Sequence, residues 1–356
     1  MFNRFSLGTK IVLCILGIFS LCMIIMVSVL IKQTADSSKE NADKLVFNAA
    51  KRIANEYEGR ISGCFIALHF ARQSLSAIIH ETSDMDFERR IKNRIEDMLD
   101  SNQWLENGFV YIKKNALSSF KIDAKNLING DMILYAFDEI PESEGGVVFV
   151  PADQSLIALS SVQKALKDGQ ESIGKSREIE YKGQSYNVLD MAMPLFDSKG
   201  NIQGVVGMNI NLDWVGAQLF GDRFSVFKND YRWVIDNEAR IVQHINKEIL
   251  FKNLSDLIMG EDAQLIASNV SACESGVYEY NNIYKVDTIS GIVSFPIGEN
   301  NKVCYAISVS APSDSVYEPI KKVTLSFVVG AIICLFISAV FIVLYMRINV
   351  IKRLRT

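Results

Sequence analysis

The chain has little proline, little histidine and almost no net charge, and each shortage excludes a class of protein. Six prolines and 21 glycines in 356 residues exclude collagen-like, proline-rich and largely disordered chains. A net charge of −4 gives no basic surface for nucleic acid. Only three histidines occur, without an H-E-x-x-H, G-x-S-x-G or P-loop pattern. We therefore expect neither an enzyme nor a nucleic-acid-binding protein, and no cofactor.

Cysteine is also scarce, and its spacing supports no metal site. None of the six cysteines forms a C-x-x-C pair, so a zinc site has no support. Cys273 and Cys304 can form a disulfide in an oxidising compartment, which would leave Cys64 as a small buried residue. The sequence leaves open whether that bridge forms. The other three cysteines lie in apolar segments: Cys14, Cys22 and Cys334.

Two long uncharged segments are present at opposite ends of the chain. Residues 11–31 and 323–346 contain 21 and 24 consecutive residues without a charged side chain. At about 1.5 Å per residue, a helix of ~20 residues crosses the hydrocarbon core of a bilayer. The first segment is too long for a signal peptide, and no A-x-A-like cleavage site follows it. We predict two transmembrane helices rather than a cleaved leader or buried core helices.

The short flanks of these segments predict the topology. Residues 1–10 and 347–356 together carry six Lys or Arg and no acid, so both ends are expected in the cytoplasm. The whole chain carries −4, so the part between the flanks carries −10. We expect a two-pass membrane protein with residues 32–322 on the extracytoplasmic side.

After the first apolar segment, the pattern remains helical for about fifty residues. No proline interrupts it, so the membrane helix is expected to continue as a rod of roughly 100 Å. The apolar stripe of this helix can pack on its own domain. The part of the stripe nearest the first apolar segment, around Leu45 and Ile53, can also form a dimer seam. The apolar residues are spaced by three or four: Ala42, Leu45, Ala49, Ile53, Tyr57, Ile61, Cys64, Leu68, Ala71, Leu75 and Ile78.

The remaining exterior segment reads as two α+β modules in tandem, the first one larger. In the first, helices are predicted at 86–99 and 155–167, and strands at 108–112, 146–150, 178–181, 186–196 and 202–212. In the second, strands are predicted at 231–236, 240–244, 276–280, 285–295 and 302–308, and helices at 247–259 and 262–269. A short link at 312–319 is expected to lead into the second membrane helix.

A specific resemblance to a known family rests mainly on the segment 187–213, NVLDMAMPLFDSKGNIQGVVGMNINLD. Its apolar strand, its D-x-x-G turn at 197–200 and its GVVG strand resemble the sensor half of bacterial methyl-accepting chemotaxis receptors with a double Cache domain. The helix end at 164–169 and the strand-turn-strand at 231–244 are similar to further parts of that family. The final RINVIKRLRT resembles the start of a HAMP linker, with Val350 near the position of its usual proline.

The resemblance implies a domain plan and partners. It implies two transmembrane helices around an extracytoplasmic double PAS-like domain, a homodimer, a small-molecule ligand and a cytoplasmic chemotaxis kinase complex. In the family, a cytoplasmic signalling half follows the sensor, and this sequence does not contain it. The sequence can be a fragment of a longer chain, or the receptor can be split, with its signalling half on a separate chain. The expected boundaries are 1–10, 11–31, a sensor at 32–322, 323–346 and a HAMP-like start at 347–356; within the sensor they are 32–82 for the long helix, 83–220 for the membrane-distal module and 221–320 for the membrane-proximal module.

The ligand pocket of the family lies in the membrane-distal module, and this chain departs from its pattern. Where amino-acid-binding members carry R-x-W-Y on the short helix, this chain has Ser160, Val162 and Gln163. The family's strand aspartate, which holds the ligand's amino group, corresponds to Asn209. An ammonium ligand would lose a charge-assisted contact of roughly 1.5–3 kcal/mol there. The resemblance therefore disfavours a standard amino acid as the ligand.

The polar residues that remain on the predicted pocket strands suggest another ligand class. Arg177 can pair bidentately with a small carboxylate, although it can also be a solvated residue at a strand edge. Asp190 interrupts an apolar strand, so it either lines the pocket or pairs structurally. We hypothesise a small organic acid. The candidate ligand-binding residues are Gln163, Arg177, Tyr181, Tyr186, Asp190 and Asn209.

The function predicted is a transmembrane chemoreceptor sensor that signals through its second membrane helix. Two alternatives keep the binding domain but change the output. One is the sensor half of a histidine kinase or of a cyclic-dinucleotide enzyme. The other is a membrane-anchored binding protein without a signalling output, which the basic segment after the second membrane helix weakly disfavours.

Overall fold

A computed structural model of the chain describes residues 7–80, 86–151, 153–221, 224–258, 260–282, 284–298 and 303–345. Residues 1–6 and the HAMP-like start predicted at 347–356 lie outside the described residues. Val46–Ala311 form one compact unit, and the segments on either side of it form a second. The first of these units contains the two β-sheets.

The predicted long helix is present as a single element. Helix α1 (Leu7–Ile79) is uninterrupted, because no proline removes a backbone donor from it. Along the part that belongs to the sheet-bearing unit, Ile53, Tyr57, Ile61 and Leu68 are fully buried. The predicted apolar stripe is therefore confirmed as a surface that packs on its own domain.

The same burial corrects the predicted dimer seam. Ile53 has no exposed surface, so its place in a seam with a second copy is wrong. Leu45 is 48% exposed, and the neighbouring Val46 is buried instead. Towards the C-terminal end of α1, Ile66 and Phe70 are also exposed, at 55% and 65%. The helix thus has an outer face with large apolar side chains that its own domain does not cover.

Two helices of the described chain are long and apolar enough to cross a membrane. They are the N-terminal part of α1 from Cys14 onwards and helix α6 (Ser313–Tyr345). The link predicted at 312–319 is wrong, because α6 begins at Ser313 and contains Pro319. A proline there removes one backbone hydrogen bond near the start of a long helix without ending it.

The first module contains a seven-stranded antiparallel sheet, and we call it the seven-stranded module. The strand order is β2-β3-β1-β7-β6-β5, and β4 pairs with β3. The elements are α2 (Phe87–Asp100), β1 (Leu105–Ile112), β2 (Leu127–Ile128), β3 (Asp131–Asp138), β4 (Val147–Val150), α3 (Ser160–Asp168), β5 (Ser172–Tyr181), β6 (Gln184–Phe196), β7 (Ile202–Asn211) and α4 (Leu212–Leu219).

The two faces of this sheet have different neighbours, because successive side chains of a strand point to opposite sides. Val110 and Met208 belong to a core that includes α1 and α2. Phe109 and Val205, on the opposite face, pack with Val162 of α3. We call this second side the α3 face.

The second module contains a five-stranded antiparallel sheet in the order β10-β11-β12-β8-β9. One face packs with α1 through residues such as Val234 and Ile307, and the other, the α5 face, is covered by α5 and two 3₁₀ turns. A disulfide joins Cys273 to Cys304, and Cys64 is a buried free thiol. The elements of this five-stranded module are β8 (Tyr231–Ile235), β9 (Ile241–His244), α5 (Asp262–Ser271), β10 (Gly276–Asn281), β11 (Asp287–Ile297) and β12 (Val303–Pro312).

Two predicted helices differ from the structure. The helix predicted at 247–259 is wrong in its described part: the chain forms 3₁₀ turns at Lys247–Ile249 and Leu254–Asp256. The side chains of Asn246 and Asn253 accept hydrogen bonds from the backbone N–H two residues on, which favours short turns over a helix. The helix predicted at 155–167 begins only at Ser160, after a 3₁₀ turn at Gln154–Ala158.

Candidate ligand-binding site

A row of buried polar side chains crosses the α3 face of the seven-stranded sheet. Asn107 on β1 is opposite Asn209 on β7, and Asn209 is opposite Asp190 on β6. All three are almost fully buried. We call Asn107, Asn209 and Asp190 the polar row. Polar groups inside a sheet core need hydrogen-bond partners, because burial removes the partners that water would provide.

Asp190 has two hydrogen-bond partners from two elements. The hydroxyl of Ser161, at the start of α3, donates to Oδ2 at 2.6 Å. The Nε–H of Arg177, on β5, donates to Oδ1 at 3.3 Å. Burial raises the pKa of Asp190, although the bonds from Ser161 and Arg177 act in the opposite direction. Arg177 and Ser161 thus compensate for the cost of a buried carboxyl group.

A glycine in a β-bulge provides the space for this carboxyl group. The pairing of β5 with β6 shifts between Ile173 and Ser176, and Gly174 lies in the shifted stretch. A Cβ atom at Gly174 would lie 1.8 Å from Oδ2 of Asp190. The backbone of β5 can therefore approach Asp190 only where a side chain is absent.

The two asparagines leave a donor and an acceptor without a protein partner. Nδ2 of Asn209 donates to Oδ1 of Asn107 at 2.6 Å. Nδ2 of Asn107 and Oδ1 of Asn209 are buried and have no hydrogen-bond partner among the described residues. A buried unpaired polar group costs about 1–3 kcal/mol. This pair therefore retains one donor and one acceptor that no described protein group satisfies.

Arg177 is a cation that contacts the polar row through Asp190. Its side chain is 31% exposed, so part of the guanidinium group reaches solvent. Within the described part of the chain, Nε has the hydrogen bond to Asp190 and neither Nη group has one. Since a guanidinium group can bind two carboxylates at once, Arg177 can hold Asp190 and a ligand acid together.

Aromatic rings border the row on the side of β3 and β5. Tyr181 stacks on Phe137 with 3.8 Å between ring centroids, and its hydroxyl donates to Glu139 at 2.6 Å. Tyr135 lies against Phe137 at 4.9 Å. Burial raises the pKa of Tyr135, and the nearby charge of Arg177 partly opposes this rise. Tyr135 is therefore a neutral phenol close to Arg177.

The structure brings three of the six predicted residues together and leaves three further out. Arg177, Asp190 and Asn209 form one group. Tyr181 and Tyr186 pack together beside it around Val188. Gln163 is exposed, and its Nε2 donates to the carbonyl of Ile157 at 2.7 Å, which leaves it outside the polar row.

Sequence reasoning missed Asn107, Ser161 and Tyr135. Asn107 precedes the predicted strand at 108–112, but its pairing with Asn209 spans 102 residues and has no local signal. Ser161 follows Ser160, which the family comparison had singled out. Tyr135 lies on β3, a strand that was not predicted. The described residues contain no group of three or more His, Cys, Asp or Glu that could hold a metal ion.

A second buried acid lies at the end of β1. Asn211 donates from Nδ2 to Glu106 at 2.7 Å. Burial raises the pKa of Glu106 to about 7, and the charges of Asp138 and Asp213 add to that rise. Glu106 therefore titrates close to neutral pH, next to Asn107.

Comparison with solved structures identifies the fold. The periplasmic sensory domain of the Campylobacter jejuni chemoreceptor Tlp1 is similar with a TM-score of 0.68 and 22% identity, over 79% of this chain and 99% of that one. The extracellular domain of mmHK1S-Z3, assigned as a histidine kinase, has a TM-score of 0.59 and 15% identity, over 80% of this chain and 98% of that one.

A third similar structure contains a ligand. It is the ligand-binding domain of the Pseudomonas fluorescens chemoreceptor CtaA in complex with L-isoleucine, with a TM-score of 0.53 and 14% identity, over 80% of this chain and 98% of that one. No family model matches the chain, and no curated protein matches it.

These similarities confirm the predicted resemblance at the level of the fold. The chain has the fold of the sensory domains of chemoreceptors and histidine kinases, with a long N-terminal helix and antiparallel sheets. Two apolar helices flank that fold in the sequence, as expected for a two-pass membrane protein. The similar structures named here are sensory domains rather than enzymes.

Proposed function

We propose that the chain is the sensor part of a chemoreceptor of the double Cache type. The buried polar row carries the proposal, because it leaves a donor and an acceptor unpaired inside a fold shared with ligand-binding sensory domains. In this proposal the central domain lies in the periplasm, between two helices in the inner membrane. The seven-stranded module is the membrane-distal module and the five-stranded module the membrane-proximal one.

The ligand proposed is a small organic acid. Its carboxylate would bind the Nη groups of Arg177, and a hydroxyl or second acid group would fill the unpaired positions at Asn107 and Asn209. Tyr135 and Tyr181 would form the aromatic wall. Asp190 retains a carboxyl group in the row, so amino acids are the competing ligand class that the experiment must include.

Signalling is proposed to occur by a ligand-linked population shift. A ligand that binds one state of the sensor better than another shifts the equilibrium, and helix shifts of about 1–2 Å are common in such switches. The proposed assembly is a homodimer that acts on a cytoplasmic chemotaxis kinase complex through a HAMP-like segment. The exposed Ile66 and Phe70 on α1 support an apolar seam between two copies. Light scattering of the chain in detergent tests the dimer.

The ligand proposal is tested on the full chain in lipid nanodiscs. Isothermal titration compares small organic acids with amino acids and with the corresponding uncharged amides. We expect an acid to bind, and Arg177→Gln to weaken it about 10-fold or more, because a charge-assisted bond is lost. Arg94→Gln is the matched control, since this exposed cation pairs with Asp97 on α2, which packs on the opposite face of the sheet.

Two results would contradict this proposal. One is binding of uncharged ligands without any binding of acids. The other is an equal effect of Arg177→Gln and Arg94→Gln on the affinity for the acid. If amino acids bind in place of simple acids and Asp190→Asn abolishes that binding, the sensor role stands and the proposed ligand class is wrong.

The main alternative is a sensor with another output. The similarity to the extracellular domain of mmHK1S-Z3 favours a histidine kinase as that alternative. Chimeras that join residues 1–345 to the signalling half of a chemoreceptor or of a histidine kinase separate the two outputs. A ligand response in the kinase chimera alone would reject the chemoreceptor proposal.

A further inference from the structure

The five-stranded module contains a cavity that the distal ligand proposal does not use. It has a volume of about 260 Å³ and lies between the α5 face of the sheet and the 3₁₀ turns that follow β9. Protein interiors contain few voids larger than a water molecule. An engineered apolar cavity of about 150 Å³ binds benzene. This cavity is therefore large enough for a ring with substituents.

Aromatic rings form the sheet side of the cavity. Tyr231, Trp233 and Tyr280 line it. The Nε1–H of Trp233 donates to Ser310 at 3.1 Å, and the hydroxyl of Tyr280 is bonded to Ser290 at 2.9 Å. Because these polar atoms are already bonded to buried serines, Trp233 and Tyr280 contribute mainly apolar ring surface to the cavity.

Aliphatic side chains form the opposite side. Ile249, Leu254, Leu257 and Ile258 come from the segment between β9 and α5. No Asp, Glu, Lys or Arg lines the cavity among the described residues. An organic acid or an ammonium ion would therefore lose its hydration there without gaining a counter-charge. The lining favours an uncharged, largely apolar occupant.

Two polar side chains of the lining, His244 and Asn282, favour an occupant with a hydrogen-bond acceptor. Nδ1 of His244 accepts a hydrogen bond from the backbone N–H of Asn246 at 2.9 Å, so the neutral ring carries its proton on Nε2. Burial lowers the pKa of His244, which keeps the ring neutral. Oδ1 of Asn282 accepts from the backbone of Tyr284 and Val286, which leaves its NH₂ group as a donor.

We propose that this cavity is a second ligand site, and that it binds a small uncharged aromatic compound with an oxygen acceptor, such as an aryl ketone or a phenol. The ring lies between Trp233 and the aliphatic cover, and the oxygen accepts from His244 Nε2 or Asn282 Nδ2. Ser310, which bonds Trp233, is on β12, and β12 ends at Pro312 where α6 begins at Ser313. Trp233, against which the ring lies, is thus bonded to the strand that precedes the second apolar helix.

The test uses the full chain in lipid nanodiscs and acetophenone as the probe. Saturation-transfer NMR and isothermal titration measure its binding, and empty nanodiscs correct for its partition into lipid. We expect saturable binding of one acetophenone per chain. Ethylbenzene, which lacks the oxygen, is expected to bind about 2- to 10-fold more weakly, the range of one lost neutral hydrogen bond. Benzoate, which has a similar shape but a charge, is expected not to compete.

Three variants locate the site. Leu257→Phe fills the cavity from its partly exposed cover and is expected to abolish binding. Leu265→Phe makes the same change on the exposed side of α5 and is expected to leave binding unchanged. His244→Phe keeps an aromatic ring but removes the donor, so it is expected to weaken binding about 2- to 10-fold. Thermal melting of each variant establishes that it is folded.

The proposal would be overturned by equal binding in Leu257→Phe and Leu265→Phe, or by saturable binding of benzoate that acetophenone displaces. If Leu257→Phe does not fold, His244→Phe and Asn282→Asp decide, because Asn282→Asp keeps the acceptor for the backbone and removes the NH₂ donor. Unchanged affinity for acetophenone in both variants rejects the site. Arg177→Gln is expected to leave acetophenone binding intact. Failure of organic acids to bind and failure of acetophenone to bind are therefore separate results.

Discussion

The α3 face and the α5 face have the same construction but bury different side chains. Each is one side of an antiparallel sheet whose other side packs with α1, and each is covered by a short helix and 3₁₀ turns. The α3 face buries Asp190 and two asparagines, with Arg177 at its edge. The α5 face surrounds its cavity with rings and aliphatic groups and bonds its polar atoms to buried serines. One architecture therefore encloses interiors of opposite polarity.

The two faces also differ in what holds their covers in place. Hydrogen bonds hold α3 to its sheet, in particular the bond from Ser161 to Asp190. A covalent bond holds the end of α5, because Cys273 follows that helix and is bridged to Cys304 on β12. This difference predicts that the two modules respond unequally to reduction, to a change in packing and to pH.

The largest effect is expected from removal of the disulfide. Replacing Cys273 and Cys304 by serine opens a loop with a sequence separation of 31 residues and should destabilise the five-stranded module by about 3–4 kcal/mol. Hydrogen exchange of β10 to β12 and of β6 to β7 measures the two modules separately. Replacement of the free cysteine Cys334 by serine (Cys334→Ser) is the control. An equal loss of protection in both sheets would mean that the modules unfold as one unit.

A smaller effect is expected at the bulge of the seven-stranded module. Gly174→Ala places a Cβ against the Asp190 carboxyl group and should destabilise the chain by about 1–3 kcal/mol in urea denaturation. Gly59→Ala is the matched change on α1, where no atom lies within 4 Å of the new Cβ, and it should stabilise by about 0.5–1 kcal/mol. Equal effects of the two changes would show that Asp190 does not need the space at Gly174.

The third effect is expected from pH, and its sign differs between the modules. The pKa of Glu106 is raised from 4.5 to about 7, so the folded state keeps a proton that the unfolded chain has released. The stability that this group contributes is complete below pH 4.5 and is lost as the pH rises through about 7. The pKa of His244 is lowered from 6.5, so its contribution improves as the pH rises towards 6.5.

Hydrogen exchange at a series of pH values tests this difference. Glu106→Gln keeps an acceptor for Asn211 and should stabilise the seven-stranded module at pH 8 by about 1–3 kcal/mol, with little change at pH 4. After correction for the intrinsic exchange rate, the five-stranded module should keep its own pH dependence in this variant. A stability difference between variant and parent that is the same at both pH values would contradict a raised pKa at Glu106.

The sequence was most informative where the signal was local. Long uncharged runs predicted the two apolar helices, and regular spacing without proline predicted α1. The hairpin of β6 and β7 was predicted from two apolar strands and from the turn at 197–200, in which Asp197 accepts hydrogen bonds from the backbone N–H of Lys199 and Asn201. In these cases, the physical cause lies within a few neighbouring residues.

The missed features depend on contacts that are distant in sequence. Strand β3, Asp131–Asp138, is the exception, because the two-residue turn Asn129-Gly130 that pairs it with β2 is a local hairpin signal. Asn107 reaches the site only through its register with Asn209. Arg177 was correctly placed on a strand, but its bond to Asp190 depends on a bulge that no local pattern marks. Sequence therefore named three residues of the candidate site, Arg177, Asp190 and Asn209, and strand pairing places Asn107 beside them.

The bulge around Gly174 has one more consequence, which concerns the solubility of the sheet. Strand β5 is the last strand of the seven-stranded sheet, and an open edge is a template for pairing with another chain. The irregular pairing at Gly174 and the exposed charges of Lys175, Glu178 and Glu180 make this edge a poor template. The feature that makes space for a buried carboxyl group therefore also protects the open edge of the sheet against aggregation.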